Sequence, residues 1–346
     1  MESGNDYDDD IKNLYDAISN NLINEVEYLI NKYRYKSLDI VNSNVYTTIA
    51  NDNVSPLLLA IYNRNYEIAI LLINNGADIN YNRKESILYT VINYAYGSVW
   101  DALNQTTVIN ERIILNLLQL LIDKGADVNF QNEEQQGQYQ SLKGISPLMF
   151  ACKHLNLGII ELLLNAGADP NLVDEYSGHT ALTYIFEYIF NDSTGSDDKE
   201  IYKAIELLLQ HNANPNLTLE YEQGPLYEFV REIQGMDKLF EDIIILLLEY
   251  GADPYLNDYY DESIFTNQNI DPEIQSFIID YMKLKKNKKS LQLVKGINEG
   301  PLQDLDYDTL KEVIKYIDYN PISEKREIKE RKKEEKNKER KKNRTQ

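Results

Sequence analysis

One cysteine, Cys152, stands in the whole chain of 346 residues, so no disulfide can form within it. That points to a reducing compartment. Histidine is almost as scarce, with three copies, His154, His179 and His211. None has a second His or Cys at metal-ligand spacing, so no metal site is expected and all three are read as structural. Long apolar runs are also missing. No stretch approaches the ~18 apolar residues of a membrane span, and the first ten residues, MESGNDYDDD, contain no apolar leader. A soluble, intracellular, cytoplasmic protein with no membrane partner is expected. Phosphate loops, nucleophile elbows and kinase signatures are absent too. No catalytic residue, no cofactor and no enzymatic activity are therefore predicted.

Basic charge is the last deficiency. There are 35 Lys and Arg against 56 Asp and Glu, a net charge of −21. From Glu324 to Gln346 the balance reverses, with 12 basic and 6 acidic residues, leaving −27 on the first 323. An acidic body repels phosphate backbones, which disfavours nucleic acid as a partner. Tyrosine is abundant at 27 residues, a bias that AT-rich coding accounts for, so abundance alone marks no aromatic site.

What the chain does have is a repeated phrase. Gly-Ala-Asp-x-Asn occurs at Gly76–Asn80, Gly125–Asn129 and Gly167–Asn171, with weaker copies at Asn212–Asn216 and Gly251–Tyr255. Each copy follows an aliphatic run such as Leu71-Leu72-Ile73 or Leu162-Leu163-Leu164, and earlier apolar positions complete the stripe of a buried helix face. The glycine falls just past the helix end, where a left-handed residue turns the chain. Asn212 in that slot fits, because Asn is the best-tolerated substitute for Gly at positive φ. The Asp residues are turn formers rather than a carboxylate array. Cys152, beside Ala151 on a first helix, is a packing residue.

Twenty residues before Gly76 and Gly167 stand Pro56 and Pro147, in Ser55-Pro56-Leu57-Leu58-Leu59-Ala60 and Ser146-Pro147-Leu148-Met149-Phe150-Ala151. These units resemble the ankyrin repeat, whose signature is Thr-Pro-Leu-His-x-Ala at a period near 33. The resemblance implies an all-α solenoid of helix-turn-helix units joined by β-turn fingers, with about six or seven repeats including degenerate caps. Units are placed near 10–36, 54–82, 85–129, 145–172, 178–217, 223–255 and 262–284. Residues 1–9 are assigned to an acidic disordered N-terminus, and Tyr33 occupies the Gly slot of an N-terminal cap. Ala is the family's choice three residues after the slot that follows the proline, so the bulkier Val91, Ile185 and Phe229 imply adjusted packing.

Departures from the regular spacing fall into two kinds. Extra residues near Gly97–Asn110, Asn191–Lys199 and Gln234–Lys238 separate the two helices of a unit and lengthen surface loops. Extra residues in Arg34–Asn53 and Asn129–Gly144 instead lengthen fingers, which ankyrin proteins commonly use to contact partners; a tolerated surface insertion is the simpler reading of the same lengths. The resemblance therefore implies a non-enzymatic interaction scaffold, expected to be monomeric, that binds a protein through its fingers and first-helix face. Candidate contact residues are Tyr46, Tyr81, Arg83, Phe130, Gln135, Tyr139 and Tyr176.

Past Lys289 the repeat pattern stops. Residues 285–320 read as a helical segment, and 321–346 as a charged tail, solvated or disordered. Within the first, Leu305, Leu310, Val313, Ile314 and Ile317 are similar to the start of an F-box, with Asp306 in place of its Pro and Thr309 in place of a Leu. That likeness implies an alternative role, a substrate receptor recruiting a Skp1-type adaptor of a cullin ubiquitin ligase. A helix capping the last repeat is the simpler reading of the same residues. Basic clusters such as Arg340-Lys341-Lys342 leave a nuclear location open. AT-rich composition, long insertions and the F-box-like position together resemble ankyrin proteins of amoebal giant, mimivirus-like DNA viruses.

Overall fold

Each repeated phrase ends a helix, and each Ser-Pro or its equivalent begins one. The computed structural model describes residues 4–34, 39–47, 52–80, 86–97, 110–133, 143–191, 197–217, 224–256 and 262–295. They belong to two compact units, 1–269 and 270–346. In the first unit the helices come in pairs: α1 (Gly4–Ser19) with α2 (Ile23–Tyr33), α3 (Pro56–Tyr62) with α4 (Tyr66–Asn74), and α5 (Ile87–Ile92) with α6 (Glu111–Asp123). There follow α7 (Pro147–Lys153) with α8 (Leu157–Asn165), α9 (Ala181–Asn191) with α10 (Asp198–Gln210), and α11 (Pro225–Glu232) with α12 (Lys238–Glu249). The second unit contains α13 (Pro272–Lys295).

Local chemistry sets the starts. The hydroxyls of Ser55, Ser86 and Ser146 accept the backbone N–H of Leu58, Tyr89 and Met149 at 3.2, 3.4 and 3.3 Å. Each satisfies an N–H that the first helical turn leaves orphaned. Pro56, Pro147 and Pro225 occupy the first turn, where a missing N–H costs nothing. The ends are equally regular. Ala77, Ala126, Ala168, Ala213 and Ala252 donate their N–H back to Leu72, Leu121, Leu163, Leu208 and Leu247. That pattern requires a left-handed residue in between. Gly76, Gly125, Gly167 and Gly251 have φ of 88 to 93°, and Asn212 has 68°. Tyr33 ends α2 differently, since the next residue, Arg34, is right-handed helical at φ −52°.

Packing builds two rows. First helices stack as α1 on α3, then α5 on α7, α7 on α9 and α9 on α11, while second helices stack without interruption from α2 to α12. The second helices bury i, i+3, i+4, i+7 stripes such as Ile114, Leu117, Leu118 and Leu121, each at 0% exposure. Fully burying one such side chain contributes about 1.5–3 kcal/mol. Every unit therefore depends on its neighbours for its core. The bulky Phe229 is accommodated by an aromatic cluster, with ring centroids 4.8, 5.6 and 5.8 Å from Phe186, Phe190 and Phe240.

A second tie runs along the fingers. The side chain of the phrase's final Asn reaches the next unit. Asn129 Oδ1 accepts the N–H of Asp169 at 2.7 Å and its Nδ2 donates to the carbonyl of Gly167 at 3.4 Å. Asn171 does the same to Asn214 and Asn212 at 2.7 and 2.9 Å, and Asn216 to Asp253 and Gly251 at 2.7 and 2.8 Å. Asn42 supplies this bridge for the first unit, to Asp78 and Gly76 at 2.7 and 3.2 Å. Within each phrase the Asp, or Asn214, accepts the N–H two residues on, at 2.8–2.9 Å.

Three features differ from expectation. Helix α1 reaches back to Gly4, across most of the stretch assigned to a disordered N-terminus. Its anchors explain this: the Tyr7 ring meets Tyr33 edge-on at 5.2 Å, and Asp10, 8% exposed, accepts hydrogen bonds from Lys32 and from Tyr33 at 2.6 Å for the latter. The first long finger contains an antiparallel pair, β1 (Val45–Thr47) with β2 (Asp52–Val54), in an otherwise helical architecture. The β-branched and aromatic run Val45-Tyr46-Thr47 favours that extended backbone. Finally, α13 continues unbroken through position 284, with Ile274, Ile278 and Tyr281 buried at helical spacing. Asp271 and Pro272 begin this helix, the Asp271 carboxylate accepting the N–H of Glu273 at 2.8 Å.

Candidate functional site

The finger Asn129–Gly144 is described at its two ends, and both are fastened. Asn132 donates its N–H to the carbonyl of Ile145 at 3.2 Å, and Gly144 donates to the carbonyl of Asn132 at 2.8 Å. Gln131 Nε2 donates to the carbonyls of Gly144 and Val173 at 2.6 and 2.8 Å, reaching the following finger. Lys143 pairs with Glu175 there at 2.9 Å. On the other side, Asn132 Oδ1 accepts the N–H of Ser86 at 2.9 Å, at the start of α5. Gly144 makes the finger-to-finger approach possible. Its φ is +80°, and a Cβ on it would lie 2.5 Å from the backbone nitrogen of Glu175.

The following finger is organised by one buried carboxylate. Asp174, 1% exposed, accepts the N–H groups of Tyr176, Ser177 and His179 at 2.9, 2.6 and 3.1 Å. It also accepts the hydroxyls of Ser177 and Tyr184 at 2.6 and 3.0 Å. On this frame Tyr176 projects outward with 66% of its surface exposed. A rigid backbone carrying an exposed aromatic ring suits partner contact, since little side-chain freedom is lost on binding.

Of the residues expected to meet a partner, Tyr176 is exposed and Phe130 is half-buried beside the clamped neck. Tyr46 lies on β1, paired through its backbone with Asn53. Tyr81, Arg83, Gln135 and Tyr139 lie outside the described residues, as do Leu305, Leu310, Val313, Ile314 and Ile317. The clamp residues Gln131, Asn132, Lys143 and Asp174 were not anticipated. A signal for two of them was available: Asn132 and Asp174 each stand seven residues after the phrase's Gly, at Gly125 and Gly167.

The first-helix row carries a second polar feature. Lys153 Nζ of α7 lies 3.4 Å from Glu187 of α9 and 5.2 Å from the centre of the Tyr184 ring. His179, just before α9, places Nδ1 3.8 Å from Glu187 and Nε2 3.7 Å from Glu228 of α11. The Glu187 carboxylate raises the His179 pKa above the ordinary histidine value; burial opposes this, and the charges of Glu228 and Asp174 reinforce it. Glu187 is lowered, by His179 first and then by Lys153, against the effect of burial. His154, edge-on to Phe150 at 4.6 Å, moves the other way, lowered by burial and by Lys153. Cys152 is buried completely, and burial pushes its thiol up, which withholds the reactive thiolate.

Among the described residues, no group of three His, Cys, Asp or Glu side chains is placed to hold a metal ion. No helix among them is long and apolar enough to cross a membrane.

Comparison with known proteins agrees with this architecture. The family model for ankyrin repeats in three copies matches residues 110–219, and the single ankyrin repeat matches 52–84. A putative ankyrin repeat protein of Acanthamoeba polyphaga mimivirus is 33% identical over 103 residues, which cover 30% of this chain. The match spans about half of that relative, 51% of its length. Among solved structures, the ankyrin repeat domain of Bcl-3, a member of the IkappaB protein family, is similar over 78% of this chain and 97% of its own. Its TM-score is 0.55 and its sequence identity 18%. An ankyrin repeat domain from Acinetobacter baumannii AYE is similar over 69% of this chain and 98% of its own, at TM-score 0.50 and 21% identity. Such identities speak to fold, and ankyrin repeats are in general protein–protein interaction modules. Phrase, register and helix pairing agree with these matches: residues 52–84 and 110–219 carry ankyrin repeats, and the array has the ankyrin-repeat fold.

Proposed function

We propose that this protein is a non-enzymatic scaffold that binds a protein partner through its fingers and first-helix face. The observation that carries this is the clamped finger pair. Gln131, Lys143 and Gly144 fix one finger to the next, and Tyr176 stands exposed on the result. Interfaces concentrate their energy in such aromatic anchors. The test is affinity capture with mass spectrometry, comparing the wild type with Tyr176→Ala and with Glu161→Lys, a change on the exposed side of α8 in the second-helix row. A partner retained by Glu161→Lys and weakened at least tenfold by Tyr176→Ala supports the reading. Partners lost only with Glu161→Lys move the interface to the other row and overturn it.

A second reading is favoured by the sequence of residues 305–317, in which the array selects a target and the F-box-like segment recruits a Skp1-type adaptor. Pull-down with Skp1 is the direct test. Binding by the wild type that is lost in Leu310→Asp/Ile314→Asp supports it, and no binding by the wild type removes it.

A further inference from the structure

Lys153, Glu187, His179 and Glu228 alternate in sign along the first-helix row, and they come from three successive units. Lys153 belongs to α7, Glu187 and His179 to the unit of α9, and Glu228 to α11. The separations are 3.4, 3.8 and 3.7 Å in that order. His179 is the only one of the four whose charge changes near neutral pH. It is also the member that joins Glu187 of its own unit to Glu228 of the next.

We propose that His179 is a proton-operated link between successive repeats: as imidazolium it bridges Glu187 and Glu228, and as imidazole it releases that bridge. Three observations carry it. Both ring nitrogens face a carboxylate oxygen at ion-pair distance, one on each side of a repeat boundary. The ring is held in place by its edge-on contact with Tyr184 at 5.3 Å, and the backbone N–H of His179 donates to the Asp174 carboxylate at 3.1 Å. Nδ1 is buried and faces the Glu187 carboxylate as Nε2 faces that of Glu228, so the imidazolium directs an N–H at each carboxylate, whereas either neutral tautomer leaves a nitrogen lone pair against one of them. The charged and titratable groups that face it are Lys153 from α7, Asp174 from the finger, Tyr184 and Glu187 from α9 and Glu228 from α11. Asp174, Glu187 and Glu228 place three carboxylates about the ring, and each favours the ring's protonated form.

The consequence is a pH-dependent stiffness at one joint of the array, where α9 meets α11. Repeat arrays transmit stability only between neighbours, so release of this link weakens the coupling of α11 and α12 to the units before them, which the Phe229 cluster and the packing of α10 on α12 still hold. The link concerns the array itself and stands whether or not the clamped fingers bind a partner.

Residue-resolved NMR titration of the three imidazoles in the full-length protein tests this, with His154→Gln and His211→Gln for assignment. The His179 midpoint is expected above that of free histidine, and to fall in both Glu187→Gln and Glu228→Gln, while the His154 midpoint stays below the free value. Protection factors of the α11 amides, in which the base catalysis of exchange itself is divided out, are expected to fall as pH rises through the His179 midpoint in the wild type, and to be low and independent of pH in Glu228→Gln. A wild-type His179 midpoint at or below that of free histidine overturns the link. So does a midpoint that Glu228→Gln leaves unmoved, because the cross-repeat partner would then have no hold on the ring.

Discussion

At residue scale the phrase Gly-Ala-Asp-x-Asn divides into parts with separate duties. Gly167 turns the chain at φ +88°, and nothing lies within 4 Å of where its Cβ would be. The penalty of Gly167→Ala is therefore backbone strain alone, about 1 kcal/mol. Gly167→Asn should recover most of that loss, because Asn212 holds the same slot at φ +68°. Urea denaturation midpoints of the three proteins check both halves. Asn171 has the opposite character, since its backbone is ordinary and its side chain bridges two units. Asn171→Ala removes one bond to Asn214 and one to the Asn212 carbonyl. At about 0.5–1.5 kcal/mol net for each hydrogen bond, a loss of about 1–3 kcal/mol is expected in the same measurement. The turn duties were legible in the sequence, because positive φ selects a residue type directly. The bridging duty was not, because Asn at a finger reads equally well as a turn former until the next unit is in place.

At the scale of elements, helices were easier to read than fingers. Periodicity of apolar residues and Ser-Pro starts mark α3, α4, α7 and α8 closely. The hairpin β1–β2 is local, pairing Val45 with Val54 and Thr47 with Asp52, but it lies inside a finger with no repeat register; the finger clamp depends on contacts between segments some forty residues apart, such as Gln131 with Val173, and no local pattern encodes those. Asn42 shows the difficulty. It bridges to Gly76 and Asp78 as the phrase's Asn would, yet it lies nine residues past Tyr33 rather than four past a Gly. The clamp has a sharp test in Gly144→Ala. The added Cβ meets the Glu175 nitrogen at 2.5 Å at a φ of +80°, so strain and overlap act together. A cost of about 2 kcal/mol or more is expected. Part of it should be relieved locally, by release of the finger. Limited proteolysis should then cut within 129–144 faster than in the wild type, with far-ultraviolet circular dichroism unchanged. Equal cleavage rates would show that the neck is not held through Gly144.

At the scale of the whole array, ends are weaker than the middle, because a terminal unit has one neighbour instead of two. The N-terminal pair α1–α2 offsets this with Asp10, held by Lys32 and Tyr33. Burial alone would raise the Asp10 pKa, but the bonds from Lys32 and Tyr33 outweigh it, and the carboxyl lies below its ordinary value of 3.8. A carboxylate lowered on folding stabilises the folded state above its unfolded pKa. That contribution disappears as pH falls through the lower, folded value. Acid should therefore fray the array from its first unit, with α1 and α2 losing amide-exchange protection before α8 and α10 do. Asp10→Asn separates this from general acid unfolding. The variant should show reduced protection of α1 and α2 already at neutral pH and no further selective loss across the acid window. Selective acid loss of α1 and α2 that persists in Asp10→Asn would assign it to other carboxylates of this acidic chain. The His179 link carries the reverse sign, since a histidine raised on folding contributes below its unfolded pKa and is lost as pH rises through the folded one. Asp10 thus contributes to the acid limb of the stability profile at the N-terminal cap, joined on that limb by the lowered Glu187 of α9, while the neutral-to-basic limb falls to His179 at the junction of α9 and α11.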